Sequence, residues 1–168
     1  KTTFIKLLSG VYETNKGEIS LPFSESSLSK IRNRISVMSQ ESLLFADTIK
    51  NNMFREGDSE DRFQELCRKF NLDSEIMRFG NGYDTILQEN GDPLSEGQKK
   101  RVCFLRCVMN EADIYVFDEP TANVDQLNAT VMMDHIVSLS KDHYVVLITH
   151  DKDLLDKYPG YIQEIRGG

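Results

Sequence analysis

The first ten residues, KTTFIKLLSG, place a lysine and two threonines directly before an apolar-rich stretch with the pattern of a helix. A lysine followed by a hydroxyl residue at a helix start forms the second half of a phosphate-binding loop of the type GxxxxGK[ST]. There the lysine reaches the terminal phosphates, the hydroxyl holds Mg²⁺, and the positive helix end faces the anion. This pattern predicts phosphate binding by Lys1, Thr2 and Thr3, with Thr2 also a metal ligand. A solvated first helical turn explains the same residues, so this stretch alone leaves both interpretations open.

Two adjacent carboxylates, Asp118 and Glu119, follow the apolar run IYVF. Such a run is typical of a parallel strand buried on both faces, and ligands bind at the carboxyl ends of these strands. Successive strand side chains point in opposite directions, so the two acids need not have the same role. One of the two acids can hold Mg²⁺ while the other polarises a water beyond a γ-phosphate, and Asp118 is the better candidate of the pair. A strand that ends in a capped turn at Pro120 accounts for the pair equally well.

The stretch LSEGQKKR has the pattern of a helix start. Ser95 and Gln98 have the spacing of a capping box, and the apolar-rich VCFLRCVM follows. The exposed N-terminus of a buried helix, here at Gly97, is a potential anion site. The residues alone do not separate an anion-binding role from a purely structural cap.

Two further polar residues end predicted strands. Gln40 ends RISVMSQ and His150 ends VVLITH, so each places a hydrogen-bonding side chain at the carboxyl end of a strand. A single His or Gln in such a position is more often an ordinary capping or packing residue. Their significance depends on the complete set of motifs.

The order of elements predicts an α/β fold with a mostly parallel sheet flanked by helices. The runs RISVMS, DIYVFD and YVVLIT are the predicted strands, and helical patterns separate them. TIKNNMF and EDRFQELCRKF carry apolar residues at helical spacing and predict an inserted α-helical subdomain. We therefore divide a single domain, residues 1–168, into a core of residues 1–45 and 111–168 and a mainly helical part of residues 46–110.

Composition narrows the class of protein. The chain has 168 residues, enough for one packed domain, and a net charge of −7 with no basic cluster, so we expect no nucleic-acid partner. No apolar run approaches the roughly 20 residues of a membrane-spanning helix, so we expect a soluble chain. The three cysteines lack a nearby histidine or a second pair, which favours buried reduced thiols over a metal site.

Taken together and in order, these motifs resemble those of the nucleotide-binding domain of ATP-binding cassette (ABC) transporters. The matching positions are Lys1 and Thr2 for the end of the Walker A loop, Gln40 for the Q-loop, Leu94 to Gln98 for the signature LSGGQ, Ile114 to Glu119 for Walker B, Asp125 for the D-loop and His150 for the switch histidine. The resemblance covers nearly the whole chain. It implies a P-loop NTPase-like fold, and we expect the glycine-rich first half of the phosphate loop to lie before Lys1.

The resemblance also implies an ATP-hydrolysing mechanism. It predicts a head-to-tail dimer with a second nucleotide-binding domain and with ATP and Mg²⁺ at the interface. The implied roles are catalytic for Glu119, His150 and Gln40; metal-binding for Thr2, Gln40 and Asp118; and nucleotide-binding for Lys1, Thr2, Thr3, Ser95, Gly97, Gln98 and Asp125. The signature residues would come from the opposite subunit.

Two segments, SVMSQESLLFADTIKNNM and GYDTILQENGDPLSEGQ, are similar to those of the exporter subtype, in which the second faces the transmembrane domain. The resemblance therefore implies a transmembrane-domain partner and a location at the cytoplasmic face of the membrane. Asn90 stands where exporters usually have arginine, and Glu96 replaces the first signature glycine. We expect the Glu96 side chain to point to solvent. A soluble non-transport ABC ATPase and a catalytically impaired regulatory half of an asymmetric transporter are the alternatives.

Overall fold

A computed structural model describes residues 2–9, 11–12, 33–158 and 160. Lys1 lies outside these residues, and Thr2 is described only as part of a helix. The helices are α1 (Thr2–Leu8), α2 (Glu60–Lys69), α3 (Asp73–Ile76), α4 (Glu96–Met109), α5 (Gln126–Leu139) and α6 (Lys152–Lys157), with a 3₁₀ turn at Gly82–Asp84. The strands are β1 (Ile35–Met38), β2 (Ile114–Asp118) and β3 (Tyr144–Ile148).

The described strands form one parallel sheet in the order β1-β2-β3. Ile35 is in register with Ile114, and Asp118 is in register with Ile148. Because the strands are parallel, their carboxyl ends lie at the same edge of the sheet. The three predicted strands and the α/β fold with helices flanking a parallel sheet are confirmed.

The two faces of the sheet contribute to two hydrophobic cores. Tyr115 and Phe117 belong to the larger core, which also contains the apolar faces of α2, α4 and α5. Ile114 and Val116 point to the other face, in a small core with Ile5 of α1. Strand side chains alternate, so Asp118 leaves β2 on the same side as Val116, towards the face that α1 covers.

The segment TIKNNMF forms turns rather than the predicted helix. The buried Asn52 side chain accepts a hydrogen bond from the Phe45 amide at 2.8 Å and donates to the carbonyls of Phe45 and Thr48. The Ile49 amide donates outside the segment, to the Thr85 carbonyl at 2.9 Å. Helix-type bonds from Asn52 to Thr48 and from Phe54 to Lys50 are present, but the Asn51 amide donates to the Thr48 hydroxyl at 3.0 Å instead of a carbonyl. The consecutive bonds of a helix are thereby interrupted, which is how side-chain hydroxyls compete with helix formation.

The second predicted helix of the insert is present as α2. The Ser59 side chain caps it by accepting from the Arg62 amide at 3.3 Å, and Phe63, Leu66 and Cys67 are buried. Cys67, Cys103 and Cys107 are buried and unbridged, and burial raises the pKa of Cys67 to about 11 and that of Cys107 to about 12. Such thiols carry little reactive thiolate at neutral pH.

In the described part of the chain, no helix has the length and apolar composition needed to cross a membrane. Helices α2, α3 and α4 all begin between β1 and β2, where the sequence predicts a mainly helical part. The proposed boundaries at residues 45 and 111 stay a prediction.

Candidate functional site

The carboxyl end of β2 carries the two acids that the sequence singled out. Asp118 is the last residue of the strand and is only 4% exposed. Glu119 follows with a φ of +48°, in the left-handed region that non-glycine residues adopt at a cost of about 1 kcal/mol. Its amide donates to the Ile148 carbonyl at 2.8 Å, which ties this residue to the end of β3. The two carboxylates therefore lie at the edge of the sheet where parallel folds bind ligands.

Residues after β3 meet the Glu119 carboxylate. Thr149 Oγ1 donates to Glu119 Oε2 at 3.3 Å, and His150 Nε2 lies 3.8 Å from Glu119 Oε1. The Glu119 side chain is 14% exposed, whereas that of His150 is 79% exposed. The structure thus joins two predicted catalytic side chains, a largely buried acid and a solvent-facing imidazole. Their contact can orient the carboxylate while leaving the ring open to a ligand.

The start of α4 has the predicted capping box. Ser95 Oγ accepts from the Gln98 amide at 3.3 Å, and Gln98 Oε1 accepts from the Ser95 amide at 2.8 Å. Gln98 Nε2 also donates to Glu75 Oε2 at 2.8 Å. Within the part of the chain described, these hydrogen bonds of Ser95 and Gln98 hold the helix start and do not reach the end of β2.

The loop after β2 approaches the same helix start. A Cβ at Gly97 would lie 3.3 Å from the Asn123 carbonyl oxygen, so this position favours a residue without a side chain. Asp125 begins α5 as its N-cap by accepting from the Asn128 amide at 3.1 Å. The hydrogen bonds from Asn128 lower the pKa of the Asp125 carboxyl. Asp125 is thus a charged cap, and its predicted contact with nucleotide stays a prediction.

Gln40 lies in the segment that follows β1 and is exposed. It lines a cavity of about 550 Å³ together with residues of the segment 89–90, the start of α4 and the loop after β2. The other lining residues are Glu41, Ser42, Leu43, Leu44, Glu89, Asn90, Glu96, Lys100, Ala122 and Asn123. The cavity therefore brings Gln40, the first turn of α4 and the loop after β2 to one place.

A family model described as "ABC transporter" matches residues 1–122 of the chain. This match includes the loop end, the segment after β1, the start of α4 and the two acids after β2. The chain belongs to the ABC transporter family. Within that family it corresponds to the ATP-binding ATPase domain, homologous to those of exporters.

Individual relatives agree with this assignment. The ABC transporter ATM1 of Plasmodium falciparum is 33% identical over 156 residues, which are 89% of this chain and 15% of that protein. P-glycoprotein 14 of Caenorhabditis elegans is 29% identical over 155 residues, 89% of this chain and 12% of the relative. The chain therefore spans less than one fifth of the length of either protein.

A solved structure also matches the fold. The structure of a bacterial Atm1-family ABC exporter with ATP bound has a TM-score of 0.84 and 26% sequence identity. The similarity covers 92% of this chain and 28% of that chain. The interpretation of Ile114 to Glu119 as Walker B and of the start of α4 as the signature motif stays a prediction.

Glu96, the departure from the signature, has a side chain that is 68% exposed. Its carboxylate accepts from Lys99 Nζ at 2.9 Å, and Lys99 Nζ also lies 3.9 Å from Asp92 Oδ1. The expectation that Glu96 points to solvent is confirmed. The adjacent ammonium offsets part of its negative charge, which weakens the repulsion it would exert on a phosphate.

The oxygen atoms of the candidate site residues are chemically suited to bind ATP with Mg²⁺. Mg²⁺ prefers oxygen ligands, usually one or two carboxylates or hydroxyls with phosphate oxygens. Asp118 supplies a buried carboxylate on the side of the sheet that faces α1, and Thr3 is exposed in the first turn of that helix. Lys1 is outside the described residues and the Thr2 side chain is not described, so their predicted contacts stay predictions.

Four functional neighbours escaped the sequence analysis, namely Glu75, Lys100, Arg101 and Thr149. Arg101 Nη2 donates to Glu75 Oε2 at 2.7 Å, the oxygen that Gln98 also contacts. Burial alone raises the pKa of Glu75, but the bonds from Arg101 and Gln98 outweigh it and leave the pKa below its usual value. Arg101 lies inside the stretch LSEGQKKR and Thr149 inside VVLITH, whereas nothing in the sequence connects Glu75 to α4.

Proposed function

We propose that this chain is the nucleotide-binding domain of an ABC exporter, in which ATP hydrolysis powers transport through a membrane domain. The observation that carries the proposal is the contact of Glu119 with Thr149 and His150 beside the buried Asp118. It supports the assignment of one acid to the metal and one acid to the water at the mouth of one buried strand.

In the proposed mechanism each residue has one task. Glu119 orients or deprotonates the attacking water, and its buried setting limits the positions that the carboxylate can take. His150, open to solvent, contacts the γ-phosphate, while Asp118, Thr2 and Gln40 bind Mg²⁺. Mg²⁺ neutralises charge on the phosphates. Lys1 and Thr3 complete the phosphate contacts at the start of α1.

The second half of the site is proposed to come from another nucleotide-binding domain in a head-to-tail dimer. Ser95, Gly97, Gln98 and Asp125 belong to this half. The hydrogen bonds described for Ser95 and Gln98 join these residues to each other and to Glu75 of α3 rather than to Glu119. A signature turn that is built and exposed but separate from the acids fits a site that two subunits share.

The proposed membrane-domain contact lies beside the 550 Å³ cavity. Leu43 and Phe45 are 63% and 66% exposed after Gln40, and Ile86 is 71% exposed. A β-bridge joins Thr48 to Ile86, so these apolar side chains belong to neighbouring segments. Exposed apolar groups around a cavity are typical of an interaction surface. This arrangement supports a location at the cytoplasmic face of the membrane, through the membrane domain.

One alternative has a specific observation in its favour. Glu96 puts a carboxylate into the signature, which suits a catalytically impaired regulatory half of an asymmetric transporter. The pairing of Glu96 with Lys99 weakens this argument for an impaired half, and both Glu119 and His150 are present. No residue of the described chain favours the soluble non-transport ATPase in the same way.

The Glu119→Gln variant tests the proposal in the native protein, with any segments that precede Lys1 in place. We expect ATP hydrolysis to fall about 10²-fold or more, the scale expected for a general base, because an amide cannot accept the proton. ATP binding is expected to persist, since Gln keeps the size of the side chain. Phosphate release and fluorescent-nucleotide binding measure the two effects.

The control is Glu111→Gln, because the Glu111 side chain is 90% exposed and Glu111 precedes the amino end of β2, opposite the end that carries the two acids. Its hydrolysis rate should equal that of the unsubstituted protein. Near-normal turnover in Glu119→Gln would remove Glu119 from the proposed role. An unsubstituted protein that binds ATP without hydrolysing it would favour the regulatory half.

A further inference from the structure

Lys100 is a buried lysine in the second turn of α4. Only 4% of the residue is exposed, and its Nζ donates to the backbone carbonyl of Gln40 at 2.6 Å. Lysine is rarely this buried without a partner, because removing an ammonium from water is costly. A neighbour on the same helix, Lys99, has quite different partners in Glu96 and Asp92. The carbonyl of Gln40 is thus the hydrogen-bond partner found for the Lys100 ammonium.

The charges around Lys100 belong to the catalytic end of β2. Burial lowers the pKa of Lys100, whereas the negative charges of Asp118, Glu119 and Glu96 act in the opposite direction and favour the ammonium. Lys100 also lines the cavity that Gln40 and Asn123 border. Its Nζ therefore lies between the segment after β1 and the two acids after β2.

The segment that carries Gln40 has few regular hydrogen bonds of its own. Ser39 Oγ donates to the Glu41 carbonyl at 2.9 Å, and the Leu43 amide donates to that same carbonyl at 3.0 Å. Residues 39–45 belong to neither a helix nor a strand. Two charge-assisted bonds from α4 therefore restrain this stretch, one from Lys100 Nζ to the Gln40 carbonyl and one from Arg106 Nη2 to the Leu43 carbonyl at 2.6 Å. The Lys100 bond is the one made to Gln40 itself.

We infer that Lys100 is a positioning residue for Gln40, fixing through the Gln40 carbonyl the backbone from which the Gln40 side chain reaches the Mg²⁺ site. The inference deepens the proposed ATPase function and rests on it for the role of Gln40. It also connects the signature helix to the Q-loop inside one subunit. Residues that orient metal ligands typically change affinity or activity by about 10- to 100-fold when they are replaced.

The test replaces Lys100 in the native protein with Met, which has a similar length but no donor, and with Gln, which keeps an N–H donor. Lys99→Met is the matched control, because Lys99 is buried on the same helix and contacts Glu96 instead of Gln40. Hydrogen exchange of the amides in residues 39–43 is measured without nucleotide. Hydrolysis rate and Mn²⁺ binding with a non-hydrolysable ATP analogue are measured next.

For Lys100→Met we expect exchange at residues 39–43 to accelerate about tenfold or more, and hydrolysis and Mn²⁺ affinity to fall by at least about tenfold. Lys100→Gln should recover most of each loss, and Lys99→Met should leave the exchange of residues 39–43 as it is in the unsubstituted protein. Unchanged exchange in Lys100→Met would overturn the inference. Equal defects in the Gln and Met variants would also overturn it, because charge rather than the hydrogen bond would then be responsible.

Two features keep the outcomes distinct. An unsubstituted protein without ATPase activity would count against the proposed function. The exchange experiment needs no hydrolysis, so its result would still show whether the Lys100 hydrogen bond restrains the segment of Gln40. If Lys100→Met does not fold, Lys100→Leu provides a second variant without a donor. Its comparison with Lys100→Gln has the same expected and contradicting results.

Discussion

At the scale of single residues, side-chain amides decide where backbone hydrogen bonds go. Gln98 closes the capping box that starts α4, while Asn52 links the Phe45 backbone to the turn at Thr48. Both residues use a side-chain amide, one to start a helix and the other to hold a turn. Asn52 also shapes the stretch that carries Phe45, next to the surface proposed for the membrane domain.

Replacing Asn52 tests its structural role. In Asn52→Ala the Phe45 amide loses its acceptor and the carbonyls of Phe45 and Thr48 each lose one of two donors, so we expect the free energy of unfolding to fall by about 2 kcal/mol. The exposed neighbour Asn51 provides the control, and Asn51→Ala should cost less than half as much. Denaturant unfolding measures both changes. Equal losses in the two variants would show that the buried Asn52 contributes no more to the free energy of unfolding than the exposed Asn51.

At the scale of elements, an ion pair ties α3 to α4. The Arg101 guanidinium is almost fully buried and donates to Glu75 and to the carbonyls of Phe70 and Asn71. Glu75 in turn holds the Gln98 amide. The geometry of the signature turn therefore depends on a carboxylate that lies 19 residues before the motif begins.

We predict that Glu75→Gln lowers the free energy of unfolding by about 2 kcal/mol at pH 7, because bonds to a charged partner are replaced by weaker ones. The pKa of Glu75 is below its usual value in the folded state, so its stabilisation is complete above the unfolded pKa of about 4.3. It is lost as the pH falls through the lower folded pKa, where the two proteins should converge.

Denaturant unfolding between pH 7 and pH 3 measures this difference. Glu65→Gln is the control, because Glu65 is exposed on α2, and its stability should follow that of the unsubstituted protein at every pH. A difference between Glu75→Gln and the unsubstituted protein that stays constant with pH would contradict the ionic origin of the effect.

At the scale of the whole molecule, the proposed dimer requires two nucleotide-binding domains to share one site. Thr3 is exposed in α1 and Glu96 is exposed in the signature turn. The proposed head-to-tail dimer brings α1 of one domain to the signature of the other. The endogenous cysteines are buried with raised pKa values, so introduced surface cysteines can be modified selectively.

We predict that Thr3→Cys combined with Glu96→Cys gives an inter-domain cross-link with a short bis-maleimide, and that Mg²⁺ with ATP in the Glu119→Gln background increases its yield several-fold. Denaturing electrophoresis of the native protein measures the product. The control pairs Thr3→Cys with Glu65→Cys on α2, for which little product is expected. Equal yields from both pairs, or no effect of nucleotide, would contradict the head-to-tail arrangement.

Much of the fold could be predicted because its signals are local. Nearly continuous apolar runs identified β2 and β3, the strand-like run RISVMS identified β1, and the spacing of Ser95 and Gln98 identified the start of α4. The helix predicted for TIKNNMF was wrong because the Asn51 amide bonds to the Thr48 hydroxyl and the Ile49 amide bonds to Thr85, a partner 36 residues further along. Periodicity within a window does not register a competitor from outside that window.

The sequence by itself determined the class of chemistry: the order of motifs identified the family, and the strand ending in Asp118 and Glu119 located the acids. Only the tertiary structure decided how those residues are held. The contact of Glu119 with His150, the pair between Glu75 and Arg101, and the bond from Lys100 to Gln40 each join different segments. Motif order is a one-dimensional property, whereas the partner of a buried charge depends on which distant segments packing brings together.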